Sequence, residues 1–145
     1  VPFTSERLIA EGKIPRIAAT RFTTREKPWS EPSATIVWGA LHQLGIAEET
    51  VLWNAFAWHP HKPGEPLSNR TPTFAEMQAG IEVFASVLNH FGGARVVAVG
   101  ENASRLLNAI GVWNAKKVRH PANGGATKFR EQLAEIVNST KGSAR

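Results

Sequence analysis

The spacing of hydrophobic residues alternates along this chain between a helical period and short continuous runs. Five segments have apolar residues three and four positions apart, which is typical of amphipathic helices. These segments begin at Thr4, Ser33, Thr73, Asn102 and just after Gly125. Gly45 is a plausible stop for the second segment, and Thr73 and Glu76 form a capping box that opens a helix to about His90.

Three short runs between these segments predict β-strands at residues 51–56, 95–100 and 116–120. The run at 95–100 is almost continuously β-branched, which is typical of a parallel strand buried on both faces. Because strands and helices alternate, we expect an α/β fold with a parallel sheet. The chain contains no repeat and no linker, so we expect a single domain over residues 1–145.

Polar residues stand at the carboxyl ends of these predicted strands, where α/β proteins bind their ligands. Asn54 lies inside the apolar run 51–56, and a buried amide there needs either a backbone partner or a ligand. His120 ends the third run ahead of Pro121. It either orients a turn or donates a hydrogen bond to a developing anion. The long loop 57–72 between these regions has the length of a functional loop.

Positive charge is concentrated in the C-terminal part of the chain. The net charge is +5, and residues 95–145 contain nine Lys and Arg against three Glu. Such a surface suits a phosphate backbone, but it also suits a small protein that simply stays in solution. The charge alone therefore leaves nucleic-acid binding and plain solvation equally open.

The residue types that are missing exclude several kinds of site. The chain has no Cys and no Asp, which excludes thiolate metal sites, iron–sulfur clusters, a Cys nucleophile and a Ser-His-Asp triad. His59 and His61 offer only half of a metal site, so we expect neither a metal nor another cofactor. No long apolar run or secretory signal is visible, and we expect a cytoplasmic protein with no membrane partner.

Three stretches of the chain, in this order, resemble the uracil-DNA glycosylase superfamily, in particular its single-domain bacterial members. Val1-Pro2-Phe3-Thr4-Ser5 resembles the segment whose Phe stacks on the flipped uracil. Leu52-Trp53-Asn54-Ala55-Phe56, with the loop that continues to Asn69-Arg70-Thr71-Pro72-Thr73, resembles the segment whose Asn binds the uracil edge. The run 95–100 followed by His120-Pro121 resembles the later core strand and the His-Pro loop.

The resemblance implies a three-layer α/β/α fold that hydrolyses the N-glycosidic bond of a flipped uracil or damaged base in DNA repair, without a cofactor. It implies DNA as the partner, and we expect a monomer. His120 is the expected catalytic residue, as the donor to the departing base. The expected substrate-binding residues are Phe3, Asn54, Pro121 and Asn123, and the expected DNA-backbone residues are Lys117, Arg119, Lys128 and Arg130.

The chain also departs from the pattern of this family. Trp58 and Gly80 occupy two positions where the most similar subgroup has cluster-binding Cys, and Ala122 follows the His-Pro pair where Ser is usual. The first motif, a strand with the water-activating residue, precedes the stacking Phe in the family and has no counterpart here. We therefore expect an N-terminally incomplete domain, without its first strand, that retains the base-pocket residues but is weakly active or inactive.

Two further interpretations remain open at this point. The chain could be a catalytically silent domain of the same fold that binds DNA or nucleotides. It could instead be an α/β protein that binds a small anion at the helix N-termini after Gly100 and Gly124. Steep salt dependence would favour DNA over the small anion, and release of uracil would distinguish the enzyme from the silent domain.

Overall fold

The computed structural model describes residues 3–17, 23–66, 68 and 70–141. In this part of the chain the protein is mixed α/β and mostly helical, with a two-stranded parallel sheet. None of the helices described is long and apolar enough to cross a membrane. The elements are α1 (Glu6–Ala10), α2 (Pro32–Gln43), a 3-10 turn (Ala47–Glu49), α3 (Phe74–Ala79), α4 (Ile81–His90), β1 (Val97–Val99), α5 (Glu101–Ala109), β2 (Lys116–Val118) and α6 (Ala126–Lys141).

The chain divides into two compact units, and the prediction of one domain over residues 1–145 stays a prediction. The first unit comprises Val1–Leu52 with Val118–Arg145, and the second comprises Trp53–Lys117. In the first unit, α2 packs against α6. Its buried side chains come from the apolar faces that the helical spacing predicted, and they include Val37, Leu41, Phe129 and Leu133.

Helix α2 begins at Pro32, one residue earlier than the Ser33 start suggested, because Glu31 caps it. The Glu31 carboxylate accepts a hydrogen bond from the Ser33 N–H at 2.9 Å and another from the Ala34 N–H. Pro32 occupies the first turn, where its missing N–H costs nothing. The helix ends at Gln43 with Leu44 as its C-cap, and Gly45 follows with a φ of 70°, so the predicted stop at Gly45 is confirmed.

The sheet pairs β1 with β2, and α5 packs on β1. Both strands are shorter than predicted: each has three residues, and among the described residues each pairs only with the other. The prediction that 95–100 is buried on both faces is wrong as well. Only Ala98 of β1 is fully buried, whereas Val97 and Val99 are partly exposed.

The predicted helix over 73–90 is two helices, α3 and α4, that meet at Gly80. The capping box at its start is confirmed, since the Thr73 hydroxyl accepts from the Glu76 N–H and the Glu76 carboxylate accepts from the Thr73 N–H. Gly80 ends α3 and precedes α4. Glycine is a poor helix former, which explains why the apolar period continued while the helix did not.

The prediction of a strand over 51–56 is wrong. This segment is irregular, Val51 is 56% exposed, and the amide of Asn54 is exposed instead of embedded among apolar neighbours. Within the part of the chain that the structure describes, the segment pairs with no strand. A strand without a partner leaves its backbone groups without hydrogen bonds. An apolar composition alone therefore does not produce a strand.

Replacing Phe129 by Ala should unfold the first unit at much lower denaturant concentration. Phe129 is 1% exposed, and truncation of such a side chain typically costs about 3–5 kcal/mol. Phe74→Ala is the matched control, because the Phe74 side chain is 53% exposed and should give a much smaller change. Urea unfolding followed by circular dichroism checks both variants. Equal losses of stability in the two variants would contradict this assignment of the core.

Candidate functional site

His120 lies where the chain leaves β2 and turns towards α6. Val118, the last residue of β2, is 1% exposed, so the strand end is firmly held. The next residue, Arg119, donates its backbone N–H to the side-chain oxygen of Gln132 on α6, at 2.7 Å. The backbone on which His120 sits is therefore fixed between a buried strand end and a helix.

The turn after His120 is tight and depends on glycine. The Gly125 N–H donates to the Ala122 carbonyl at 3.1 Å, while Asn123 and Gly124 adopt left-handed backbone conformations with φ of 54° and 74°. A Cβ atom on Gly125 would lie 2.1 Å from the His120 carbonyl oxygen. Only glycine fits at 125, because the turn folds directly back onto the His120 backbone.

The same turn determines which nitrogen of His120 carries a proton. The Ala122 N–H lies 3.2 Å from His120 Nδ1, and because a backbone N–H can only donate, Nδ1 must accept. The neutral ring then carries its proton on Nε2. In the described part of the chain, Nε2 has no hydrogen-bond partner. His120 is half-buried, so this N–H can meet a ligand.

The surroundings of His120 favour its neutral form. Burial lowers the pKa of His120 below its ordinary value of 6.5, and the positive charge of Arg119 lowers it further. The Glu31 carboxylate acts in the opposite direction on this pKa, but it is the smallest of the three influences. His120 is therefore a neutral hydrogen-bond donor near neutral pH.

The structure brings Phe3 to His120, although 116 positions separate them in the chain. The ring centroids are 5.8 Å apart and the ring planes are tilted by 38°. The Phe3 carbonyl accepts a hydrogen bond from Trp38 Nε1 at 3.0 Å. The two aromatic residues predicted for the base pocket thus lie together in the first unit, while their roles stay predictions.

The other residues predicted around His120 divide into buried and exposed ones. Pro121 is fully buried, so it shapes the loop and offers no surface to a substrate in this structure. Asn123 is exposed at the tip of the turn and can contact a ligand. Val1 and Pro2, which precede Phe3 in the stretch that carries the resemblance, lie outside the described residues.

The predicted DNA-backbone residues also differ from one another. Lys117 donates to the Glu101 carboxylate at 3.0 Å, so its charge is already partly balanced. Arg119, Lys128 and Arg130 are exposed, and none of the described carboxylates forms an ion pair with them. Lys128 lies one helical turn before Gln132, which places this charge on the face of α6 that holds the strand end next to His120.

Asn54 belongs to the second unit, in the irregular segment after residue 52. Its amide is exposed and makes no hydrogen bond with the described residues. It is therefore available to a ligand, and the interpretation of Asn54 as a buried structural amide is wrong. That Asn54 and His120 meet at one pocket stays a prediction.

The long loop that follows Asn54 is organised by one arginine. Arg70 makes a two-pronged ion pair with the Glu76 carboxylate at 2.8 and 2.6 Å, and its Nε donates to the His61 carbonyl at 3.0 Å. The Arg70 N–H also donates to the Pro60 carbonyl at 3.1 Å. Arg70 thus ties Pro60 and His61 to the start of α3. Asn69, which was part of the resemblance, lies outside the described residues.

The two positions at which cluster-binding Cys were expected from the resemblance contact each other. A Cβ on Gly80 would lie 3.2 Å from the Trp58 ring, and Phe56 packs on Trp58 with ring centroids 5.4 Å apart. Among the described residues, no three His or Glu side chains gather as metal ligands. His59 and His61 stack with their ring centroids 5.9 Å apart. The expected lack of a metal stays a prediction.

Comparison with protein families identifies the class to which this fold and this loop belong. A family model described as the Uracil DNA glycosylase superfamily matches residues 5–142. The chain belongs to this superfamily, so the resemblance found in the sequence is confirmed. Comparisons with curated proteins and with solved structures gave no match.

The roles of several residues at this site could not be predicted from the sequence. Nothing in the spacing indicates that Trp38 contacts Phe3 or that Gln132 contacts Arg119. Glu31 did have a signal, since an acidic residue directly before Pro and Ser is a common helix start. The signal for Gly125 was weaker. Gly124 is needed for its positive φ and Gly125 for the close approach to the His120 carbonyl, but the sequence shows only two adjacent glycines.

We expect the pKa of His120, measured by NMR titration, to lie below 6.5. Arg119→Gln should raise this pKa because a nearby positive charge is removed. Glu31→Gln should lower it further, since the charge is lost while the amide oxygen can still cap α2. Because burial favours neutral His120, its contribution to folding stability is largest above pH 6.5 and decreases as the pH falls through the lowered pKa.

Arg130→Gln is the matched control for this titration, because Arg130 is not among the groups that affect His120. It should leave the pKa of His120 unchanged. A wild-type pKa at or above 6.5 would show that burial does not dominate at this position. It would remove the argument for a neutral donor.

The Arg70–Glu76 pair should make stability acid-sensitive. The hydrogen bonds from Arg70 and Thr73 lower the pKa of Glu76 from 4.5 to about 2. The stabilisation by ionised Glu76 is therefore complete above pH 4.5 and is lost as the pH falls towards 2. In urea unfolding at stepped pH, wild type should lose stability below pH 4.5 more steeply than Glu76→Gln. Glu82→Gln should keep the wild-type slope, and a wild-type slope in Glu76→Gln would refute the prediction.

Proposed function

We propose that this protein is a uracil-DNA glycosylase-like hydrolase that cleaves the N-glycosidic bond of a flipped uracil or damaged base. The observation that supports this most directly is the Nε2–H of neutral His120, which lies beside the Phe3 ring and has no hydrogen-bond partner among the described residues. The proposal includes DNA as the partner, and it includes the three-layer α/β/α arrangement that the family resemblance implies.

The residues around His120 suit the departure of a base. An enzyme that acts on the glycosidic carbon must first extrude the nucleotide from the duplex, and an aromatic face then stabilises the extruded base by stacking. Phe3 offers that face. When the bond between the sugar carbon and the base nitrogen breaks, its electron pair stays on the base. The Nε2–H of His120 can then donate to the negative charge that develops on the base.

A neutral donor is suited to this step because its hydrogen bond strengthens as charge develops on the base. The lowered pKa of His120 keeps the ring neutral at neutral pH, and the Ala122 N–H keeps the remaining proton on Nε2. Water completes the reaction: its oxygen bonds to the sugar carbon, and the proton it releases balances the charge on the departed base.

Positive charge close to this loop supports binding to the DNA backbone. Arg119, Lys128 and Arg130 are exposed, whereas Lys117 is paired with Glu101. We therefore assign the phosphate contacts mainly to the first three. Each contact would release condensed counterions, so binding should weaken with added salt. Asn54 stays the proposed partner of the base edge, since its exposed amide can donate and accept in one plane.

A catalytically silent DNA-binding domain is the second candidate, and one observation favours it. The carboxylate whose charge acts on His120, Glu31, is engaged by the N–H groups of Ser33 and Ala34. A carboxylate that caps a helix in this way is a poor base for activating water. The chain also contains no Asp that could replace it.

His120→Gln should reduce the release of uracil from a uracil-containing oligonucleotide by about 100-fold or more, the size typical of losing a hydrogen-bond donor to a developing anion. Its DNA affinity and melting temperature should change little, because the residue is half-buried. His90→Gln, a replacement of an exposed histidine on α4, should retain wild-type release. Single-turnover assays on both variants provide the measurement.

The same assays distinguish the candidate functions. Salt-sensitive DNA binding by wild type without any release of uracil would favour the silent domain over the hydrolase. Salt-insensitive, weak binding would exclude both, and would leave an α/β protein for a small anion. Equal release by wild type and His120→Gln would remove His120 from the reaction.

A further inference from the structure

Trp38 is a buried residue on α2 whose polar atom contacts the backbone of the Phe3 segment. The indole ring is 7% exposed, and its Nε1–H donates to the Phe3 carbonyl at 3.0 Å. A buried indole N–H without a partner is costly, so this hydrogen bond restrains both residues. Among the described contacts, it is the only side-chain hydrogen bond made to Phe3.

Phe3 needs such a restraint because of its backbone conformation. Its φ is 49°, in the left-handed region, which L-residues with a bulky side chain rarely adopt. This conformation persists only where the surrounding structure holds it, and it directs the Phe3 ring to within 5.8 Å of the His120 ring. A relaxed backbone at Phe3 would aim the ring elsewhere.

Helix α2 is a rigid support for this contact. On either side of Trp38 in the helix, Val37 and Leu41 are 1% and 3% exposed, and α2 packs against α6, which also fixes the loop of His120 through Gln132. Trp38, which donates to Phe3, and Gln132, which fixes the loop of His120, therefore belong to one packed pair of helices.

The residues after Phe3 are fixed by other hydrogen bonds, so the effect of Trp38 is confined to Phe3. The Ser5 hydroxyl donates to the Trp29 carbonyl at 3.2 Å, and the buried Glu6 carboxylate accepts from the N–H groups of Thr23 and Trp29 at 2.6 and 2.9 Å. These contacts fix the chain from Ser5 onward. Of the described anchors, the one at Phe3 itself is the indole of Trp38.

We propose that Trp38 is a positioning residue that sets the Phe3 ring against His120 through its hydrogen bond to the Phe3 carbonyl. The placement of the Phe3 ring is inferred from this geometry alone. Its consequence, that Trp38 tunes how tightly an extruded base is held between Phe3 and His120, rests on the proposed function.

The placement can be measured by NMR without any enzymatic activity. The Phe3 ring shifts the signals of the His120 ring protons, and Phe3→Leu shows how large that shift is. Trp38→Phe, which removes the N–H but keeps an aromatic ring, should move the His120 signals towards their positions in Phe3→Leu. Trp113→Phe is the matched control, because Trp113 is 75% exposed, and it should leave the signals at their wild-type positions.

A double variant separates an effect through Phe3 from a direct one. In the Phe3→Leu background, Trp38→Phe should have no further effect on His120, because the ring that Trp38 positions is gone. If Trp38→Phe does not fold, benzothienylalanine in place of Trp38 keeps the shape of the indole and removes only the N–H. Unmoved His120 signals in a folded Trp38 variant, or an equal effect of Trp38→Phe with and without Phe3, would overturn the inference.

Kinetics then test the consequence for the base. Trp38→Phe should raise KM for a uracil-containing oligonucleotide by about 3- to 10-fold, the size of one hydrogen bond, with a smaller change in kcat. If wild type releases no uracil while the His120 signals move as expected, the proposed hydrolase fails and the positioning role stands. If wild type is active and the signals stay, the positioning role fails and the hydrolase stands.

Discussion

The hydrogen bond from the Ala122 N–H to His120 Nδ1 determines what this site can do. Because the donor is a backbone amide, it fixes the acceptor nitrogen and leaves the proton of the neutral ring on Nε2. This bond exists only because the turn is tight, and the turn is tight only because Gly125 lets the chain pass the His120 carbonyl. Turn geometry, tautomer and donor direction are thus consequences of one local arrangement. His120 orients a turn with one nitrogen and is available to a ligand with the other, so the two interpretations of this residue are compatible.

The electrostatics of the site follow from its position in the fold. Arg119 extends beyond the end of β2 and Glu31 caps the start of α2, so His120 has a charge of each sign in its surroundings. These two charges oppose each other, and burial then decides that the ring stays neutral. The exposed cations Lys128 and Arg130 lie on α6, on either side of the buried Phe129. The basic C-terminal part of the sequence therefore includes exposed cations of the first unit with which no described carboxylate forms an ion pair.

The helices could be predicted from the sequence because their apolar period and their caps are local properties. Thr73 with Glu76, Gly45 after α2, and Phe129 with Leu133 on α6 each depend on neighbours within a few positions. The strand predicted at 51–56 failed because a strand depends on a partner that composition cannot reveal. The contact of Phe3 with His120 was reachable only through the family resemblance. The contacts of Trp38 and Gln132 could not be predicted from the sequence, since they depend on tertiary packing. Glu31 had a local signal, as an acidic residue directly before Pro and Ser.

The two halves of the proposed glycosidic hydrolysis make different demands, and the described residues suit them unequally. Departure of the base needs an aromatic face and a donor to a developing anion, and Phe3 and the Nε2–H of His120 are the groups we propose for these two roles. Addition of water is helped by a free carboxylate, but Glu31 is engaged by the first turn of α2. A site of this kind is best suited to reactions in which bond breaking runs ahead of water attack. In such a reaction most of the barrier lies in charge separation, and a fixed neutral donor lowers that barrier without needing a strong base.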